Sequence, residues 1–312
     1  MSKINIIKIG IVVLASICAI GFWSFTCKYV NNTEDTRNNE IECNTSYTDK
    51  EIITNRYSVL YDDSGEYLLS PKGTKITGPY LKIYSEDISE TDQFICRYVD
   101  KNGLIGYMNQ DGTKITKPIF IQASCYIENT PVRVKTTKSE VYYIDNSFER
   151  ISEDFAEGSE FEHQGCYARV KLLTTQKYAI INKKGEVIFD GDIDYINPLP
   201  DVLCLATAKL SDGRVAILSL NSGNDDSVNI LYKTDERYSG ISEMHFDTYA
   251  YIKNNDNNVG VIDFKGNVII QPVYERIDAK IINSEDSKFM GDKVEFTCIK
   301  KDGTQRIIIK EF

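Results

Sequence analysis

The two histidines, His163 and His245, are the only imidazole side chains in the 312-residue chain. Neither belongs to an HxH or HExxH motif, the spacings that bring two imidazoles to one metal ion. Each has two interpretations, an ordinary loop or packed histidine and a member of a site. So few imidazoles argue against a histidine metal cage or a histidine-relay catalyst. The sequence therefore names no metal-ligating and no catalytic residue.

Two acidic clusters are the other candidates for ion binding. They are Asp190-Gly191-Asp192-Ile193-Asp194 and Gly223-Asn224-Asp225-Asp226. Alternating carboxylates on one strand face can hold Ca²⁺, which needs several oxygen ligands at once. The first cluster lacks the later Glu that completes a calcium loop, and a solvated turn is the alternative for both. No cofactor is predicted.

Covalent catalysis and phosphate binding have no recognisable starting residue. None of the motifs GxSxG, GxxxxGK[ST], GxGxxG and SxxK occurs in the chain. A polysaccharide hydrolase or lyase needs only two carboxylates several ångströms apart, and the 46 acidic residues select no particular pair. An enzyme of this class stays open as the alternative function.

Aromatic residues are the remaining signal, with 20 Tyr and 13 Phe against a single Trp. Tyrosines recur at strand positions, where they either pack in the core and across strands or line a rim that binds a peptide or glycan. The recurring tyrosines are Tyr61, Tyr67, Tyr80, Tyr98, Tyr107, Tyr142, Tyr143, Tyr178, Tyr251 and Tyr274.

The elements that position these residues are short strands in a repeat that starts at residue 56. No stretch keeps a helical period for twelve residues, whereas alternating or β-branched runs are separated by turns that contain Gly. Residues 101–120 match residues 257–274, and 66–80, 142–151 and 177–189 are weaker copies. Turn glycines lie at 73, 112, 185 and 266, with Ser147 and Gly223 in the gaps, at intervals of 35–43 residues.

A strand precedes each of these units as well. Seven such strands are predicted, and several end in Asn-Gly or Asp-Gly turns typical of two-residue hairpins. They lie at 58–61, 96–99, 132–135, 168–171, 206–209, 250–253 and 296–299.

The units resemble the WG-repeat family, also called KWG repeats. Ile105-Gly106-Tyr107-Met108-Asn109 and Val259-Gly260-Val261-Ile262-Asp263 lie where that family has Trp-Gly-Tyr-Ile-Asp, and Pro118, Pro272 and Tyr274 match the end of the pattern. The naming Trp is replaced, here by Ile105 and Val259. The resemblance covers residues 56–312 and implies repeated β-hairpins without an agreed activity.

The predicted fold is therefore all-β, most simply a propeller-like ring of about seven blades, because a unit of about 38 residues holds four short strands. The last unit has only two strands, so ring closure would need a strand from Lys50–Thr54. An open β-solenoid built from the same hairpins is the alternative.

The N-terminal part predicts a membrane location. Residues 1–8 form a short tail, residues 9–27 are uncharged and long enough for one transmembrane helix, and residues 28–55 read as a polar stalk. The rival for 9–27 is a signal segment cleaved near Ala19-Ile20-Gly21. With either reading, the bulk of the chain is expected outside the cytoplasm, anchored or secreted.

Cysteines would then meet an oxidising compartment. The six outside the apolar segment are scattered singly, namely Cys43, Cys96, Cys125, Cys166, Cys204 and Cys298. The 96, 166, 204 and 298 positions fall in apolar runs, which favours buried thiols over a disulfide framework.

A net charge of −10 and a pI near 4.9 argue against nucleic acid as the partner. The predicted function is a non-enzymatic binding platform at the cell envelope for protein or glycan partners, with the polysaccharide hydrolase or lyase as the alternative. The oligomeric state is left open.

Overall fold

The computed structural model describes residues 56–89, 93–138, 140–201, 204–221, 227–282 and 293–312. These residues contain 24 strands, one three-residue 3₁₀ turn and no α-helix, which confirms the all-β prediction for this part of the chain. Among them, no helix is long and apolar enough to cross a membrane. The predicted tail, apolar segment and stalk lie outside the described residues, as do Cys43 and the predicted closing strand Lys50–Thr54.

The described strands fall into seven consecutive groups, called units 1 to 7 below. Unit 1 contains β1 (Ser58–Asp62), β2 (Gly65–Leu69) and β3 (Lys75–Tyr80); unit 2 contains β4 (Lys82–Ile83), β5 (Ile95–Val99) and β6 (Ile105–Asn109); unit 3 contains β7 (Phe120–Ala123), β8 (Val132–Thr136) and β9 (Val141–Ile144); unit 4 contains β10 (Phe155–Gly158), β11 (Tyr167–Leu172), β12 (Tyr178–Asn182) and β13 (Val187–Phe189). Unit 5 contains β14 (Ile193–Ile196), β15 (Leu205–Leu210), β16 (Val215–Asn221) and β17 (Ser227–Lys233); unit 6 contains β18 (Gly240–Ile241), β19 (Tyr249–Lys253), β20 (Val259–Asp263) and β21 (Val268–Tyr274); unit 7 contains β22 (Arg276–Ile281), β23 (Lys293–Ile299) and β24 (Gln305–Glu311).

Each unit is an antiparallel meander in which consecutive strands are neighbours. Single residue pairs, Ile105 with Phe120 and Val141 with Phe155, join units 2, 3 and 4 into one ten-stranded sheet. No described strand pair joins unit 7 to unit 1. All seven predicted preceding strands lie within β1, β5, β8, β11, β15, β19 and β23.

The turn glycines have the backbone conformation that their spacing predicted. Gly73, Gly112, Gly185 and Gly266 have φ between 77° and 79°, a region that only Gly enters without strain. In unit 3 the equivalent residue is Phe148, with φ 62°, so the placement of this turn at Ser147 was wrong by one position. The turn starts at Asp145, whose carbonyl accepts from the Phe148 N–H at 2.9 Å. The sixth predicted turn residue, at 223, lies outside the described residues.

The core lies between units rather than within them. Six clusters of buried side chains each join one unit to the next along the chain, from units 1 and 2 to units 6 and 7. Each of units 1 to 6 contributes to its cluster one fully buried residue from the strand that precedes the second turn of the unit: Leu68, Tyr107, Tyr143, Ile180, Ile217 and Val261, all 0% exposed. Stability therefore comes from contacts between nearest neighbours, as in repeat proteins generally.

The five cysteines in the described part of the chain are free thiols. Cys96 and Cys298 are buried in strands, as predicted, and burial raises the pKa of Cys96 to about 12. Cys204 is exposed, which corrects the expectation for that position. It lies directly before β15 rather than inside the strand, so its side chain is not drawn into an inter-unit cluster.

Candidate functional site

His163 is a packed residue. It is 3% exposed, its ring stacks on Tyr167 at 5.7 Å between centroids, and its Nδ1 lies 2.8 Å from the Pro200 carbonyl oxygen. These contacts use one ring nitrogen and one face of the ring. They support the packing interpretation.

His245 is packed in a similar way in unit 6. Its ring stacks on Tyr249 at 5.1 Å and meets the edge of Tyr251 at 5.3 Å. Burial lowers the pKa of His245 below its ordinary value of 6.5, and only the charge of Glu243 opposes this shift. Within the described residues no three His, Cys, Asp or Glu side chains come together as a metal site.

The first acidic cluster is neutralised by a lysine. The Lys177 Nζ lies 2.7 Å from the Asp194 carboxylate and 3.4 Å from that of Asp192. Ser211 donates a further hydrogen bond to Asp194 at 2.6 Å. The hydrogen bonds from Lys177 and Ser211 lower the pKa of Asp194. An ammonium group therefore stands where a cation would bind, and the solvated-turn interpretation is favoured. The second cluster, 223–226, lies outside the described residues.

The carboxyl groups of the described residues give no support to a glycosidase acid. A general acid of that class needs a raised pKa, whereas every described carboxyl pKa that departs from its ordinary value is lowered. The Asp62 pKa, for example, falls to about 2 because Lys75 and Ser64 hydrogen-bond to its ionised form. The carboxylates serve turns and ion pairs.

Two buried ion pairs brace neighbouring units, and sequence reasoning missed both. Arg97 of β5 donates from Nε and Nη2 to the two oxygens of Asp87, at 2.7 Å each, and from Nη1 to the Ala123 carbonyl of unit 3 at 2.9 Å. Arg169 of β11 binds Glu162 in the same bidentate way, at 2.9 and 2.7 Å. Its Nη1 donates to a carbonyl of unit 5. Each arginine therefore ties its own loop to the unit that follows.

Half of the ten recurring tyrosines are core residues. Tyr98, Tyr107 and Tyr143 are fully buried, and Tyr80 and Tyr274 are less than a tenth exposed. The Tyr107 and Tyr143 hydroxyls each donate to a serine carbonyl of the following unit at 2.6 Å. Burial raises the pKa of both. Packing, rather than an aromatic binding rim, is therefore what these positions provide; Tyr61 is the exception at 75% exposure.

The face of unit 7 is the place where the repeated packing stops. Counted from the hairpin glycine, Ile307 of β24 occupies the position of Tyr107 in unit 2, because Gly303 and Gly103 open equivalent turns. That position is fully buried in units 1 to 6, but Ile307 is 61% exposed and Ile309 is 51% exposed. Strand β24 pairs with β23 alone among the described strands. This free face, defined by Ile307, Ile309 and the outer edge of β24, is the candidate site.

Comparison with protein families gives one match. The family model of the WG containing repeat matches residues 260–279, which run from β20 to β22. The chain carries a WG repeat. The glycine of this repeat is Gly260, and close packing requires it. A Cβ on Gly260 would lie 2.6 Å from the Ile270 carbonyl oxygen and 2.7 Å from the Pro272 nitrogen.

The WG glycine of unit 2 is explained in the same terms. A Cβ on Gly106 would lie 2.7 Å from the Tyr98 ring. The residue before it, the naming Trp of the family, is replaced by Ile105 in unit 2 and Val259 in unit 6, and both aliphatic side chains join inter-unit clusters. The hairpin geometry of the WG repeat is therefore kept without the indole.

No curated protein sequence matches the chain. Solved structures similar to it include BamB from Moraxella catarrhalis, at 12% identity over 82% of this chain and 80% of that one with a TM-score of 0.32. The β-propeller domain of Cps50 (Swd1) from Myceliophteria thermophila is similar at 10% identity, over 84% and 96% of the two chains, with a TM-score of 0.31. YCF48 from Cyanidioschyzon merolae is similar at 9% identity, over 82% and 95%, with a TM-score of 0.34. Similarity at this level carries no conclusion about activity.

Proposed function

We propose that residues 56–312 form a non-enzymatic platform that binds a protein partner, and that the partner docks on the free face of unit 7. The observation that carries this proposal is the exposure of Ile307, at 61%, in a position that is 0% exposed in the six preceding units. A partner that covers Ile307 and Ile309 would remove two large aliphatic side chains from water. Each such burial contributes about 1.5–3 kcal/mol when it is complete.

The edge of β24 supports the same docking mode. An edge strand presents unpaired N–H and C=O groups in a row, and an extended partner segment can pair with them. Strand β24 is seven residues long and carries three consecutive isoleucines. Ile308 packs against the core between units 6 and 7, so its two neighbours point to the opposite side. Main-chain pairing and the two outward isoleucines together favour an extended, apolar partner segment.

A protein partner is favoured over a glycan because half of the recurring tyrosines that would stack on sugar rings are buried and only Tyr61 among them is exposed. We place the platform outside the cytoplasm, held at the membrane by residues 9–27, on the strength of their uncharged 19-residue run. Cys204, which is exposed, should then react with a membrane-impermeant maleimide in intact cells, whereas Cys96 should not. The mass of the mature N-terminus would separate a retained anchor from a cleaved signal.

The sequence predicts a seven-bladed ring in which the segment Lys50–Thr54 supplies the closing strand. In such a ring that segment, and not a partner protein, would occupy the face of unit 7. A photo-crosslinking amino acid at Ile307 in the full chain distinguishes the two. The matched control places it at Leu231 of β17, which is 56% exposed and lies on unit 5 rather than at the end of the array.

A crosslink to another protein from position 307 but not from 231, abolished by Ile309→Asp, would support the proposal. An internal crosslink to residues 50–54 would show ring closure instead. A product with a second copy of the chain would make this a self-association face. Either of these, or no product at all, would contradict partner docking at this face.

A further inference from the structure

A third arginine repeats the placement of Arg97 and Arg169 but lacks their partners. Arg133 of β8 lies 36 residues from each of them, and it pairs with Tyr143 just as Arg97 pairs with Tyr107. Among the described residues, the only hydrogen bond of its side chain runs from Nη2 to the Gln122 side chain, at 3.4 Å. Among the described residues Arg133 has no ion pair and donates to no carbonyl of unit 4. The brace found in units 2 and 4 is therefore missing from unit 3.

The missing partner is a carboxylate in the loop before β8. In unit 4, Glu162 supplies it from the residue that bridges to Tyr167 as the chain enters β11. The residue that bridges to Thr130 in unit 3 is Ile127, which is 55% exposed. An aliphatic side chain thus stands at the bridging position where unit 4 has an acid. The guanidinium of Arg133 keeps its position because its strand does.

Two polar atoms beside this position are buried and have no hydrogen-bond partner. They are the Arg133 Nε and the Ser124 Oγ. Both residues line one small cavity between units 3 and 4, whose walls also include Ile127, Glu160 and Phe161. A buried polar group without a partner costs about 1–3 kcal/mol, so a polar ligand that satisfied both atoms would be stabilised in this cavity.

The cavity has the size and chemistry for a carboxylate. Its volume is about 30 Å³, and one water-sized group needs about 10–15 Å³, so two oxygen atoms fit. The planar guanidinium matches a carboxylate in two parallel hydrogen bonds, the geometry that Arg97 and Arg169 already show. The Ser124 hydroxyl can donate a third bond. The exposed Ile127 at the rim would contact the aliphatic part of the incoming side chain.

We propose that this cavity is a binding site for the carboxylate of an acidic side chain, supplied in trans by a partner protein, with Arg133 and Ser124 as the donors. The site lies on units 3 and 4 and does not depend on the free face of unit 7. The partner would complete in trans the brace that Asp87 and Glu162 complete within the chain.

Glu160 is the internal competitor, because it lines the same cavity. No Arg133 nitrogen lies within 4.0 Å of its carboxylate, since the described ion pairs do not include the two residues. Its nearby charge should weaken the binding of an external carboxylate. Glu160→Gln is therefore expected to tighten binding of the external carboxylate. If Glu160 were instead the internal partner of Arg133, the same substitution would abolish the Arg133 contact.

The test uses the full chain in detergent, labelled with ¹⁵N-arginine, and follows the Arg133 Nε–H signal by NMR. The signal is assigned by its loss in Arg133→Lys. The probe is N-acetylglutamate α-amide, which has a single side-chain carboxylate, and inorganic phosphate and chloride are titrated separately. A saturable downfield shift of the Arg133 signal with the carboxylate probe is expected, with at least tenfold weaker binding to Ser124→Ala. Arg306→Lys, on the exposed part of β24, should leave binding unchanged.

Ile127→Glu is the sharpest variant, because it restores the carboxylate that unit 4 has. It should abolish binding of the probe and raise Tm by several degrees, since a charge-assisted pair forms within the chain. An equal response to chloride or phosphate, or undiminished binding in Ile127→Glu, would overturn the proposal. So would an Arg133 signal that already reports a carboxylate contact in the free protein and loses it in Glu160→Gln.

Discussion

Removing the carboxylate of Asp87 tests the account of the inter-unit braces most directly. In Asp87→Asn the Arg97 guanidinium stays largely buried but loses the nearer of its two counter-charges, the other being Glu86. The pair is nearly dry, with the Asp87 and Arg97 side chains 2% and 13% exposed. The carboxylate also accepts from the Arg97 backbone N–H at 2.9 Å, so three hydrogen bonds are weakened at once.

The expected loss is about 3–5 kcal/mol of unfolding free energy, the range for breaking a buried ion pair by removing one partner. Burial alone would lower the pKa of Arg97, but the hydrogen bonds and charge of Asp87 outweigh burial and raise it. The arginine therefore stays charged in the folded protein, and the variant leaves that charge with only the half-exposed carboxylate of Glu86, 3.6 Å from Nη2. The free energy is measured by urea unfolding followed by tyrosine fluorescence.

Two matched variants isolate the pair. Glu162→Gln should cost less, because Glu162 is 19% exposed and its arginine 16% exposed, so water replaces more of the lost interaction. In a double-mutant cycle, Asp87→Asn combined with Arg97→Met should be more stable than Asp87→Asn alone, since the orphaned charge is gone. A loss below about 1 kcal/mol in Asp87→Asn, the value for an exposed pair, would refute the buried brace.

Three further outcomes are expected. Stability should fall as pH rises from about 10 to about 12, because the unfolded chain releases tyrosine protons near pH 10 while burial raises the pKa of Tyr98 in the folded protein to about 12; constant urea midpoints over this range would contradict it. Gly266→Ala should destabilise more than Gly103→Ala: both have φ near 80°, which alone costs about 1 kcal/mol, but a Cβ at 266 would lie 1.7 Å from an aromatic ring of unit 5, whereas at 103 nothing lies within 4 Å. Cys204 should react with a thiol reagent in the folded protein, and Cys96 only after unfolding.

The strands and turns could be read from the sequence because each has a local cause. A glycine with positive φ is needed at every tight turn, so Gly73, Gly112, Gly185 and Gly266 mark their units without any alignment. The exception shows the limit of that signal. Phe148 holds the same left-handed turn, and its ring packs on Tyr107 and Tyr126, so tertiary contacts offset a strain that the sequence pattern excludes.

The two ion pairs could not be predicted completely from the sequence, although the arginine of each pair recurs at a fixed spacing. Arginine recurs every 36 residues at 97, 133 and 169, because strand register is fixed by the repeat. Its acid is not periodic: Asp87 precedes Arg97 by ten residues, whereas Glu162 precedes Arg169 by seven. The loops before β5 and β11 differ in length and path, so no fixed spacing connects the two charges.

In a repeat protein, a position that differs from its equivalents in the other units can be interpreted by comparison with them. Equivalent positions in successive units share a backbone conformation, so six units serve as controls for the seventh. Against those controls, a hydrophobic position is 0% exposed in six units and 61% exposed in the seventh, at Ile307, and the proposed docking face rests on that difference. The proposed carboxylate site rests in the same way on Arg133, whose equivalents Arg97 and Arg169 each have an acidic partner. In both places the strand is kept and the side chain lacks the contacts of its equivalents, which is the ground for proposing that another molecule supplies them.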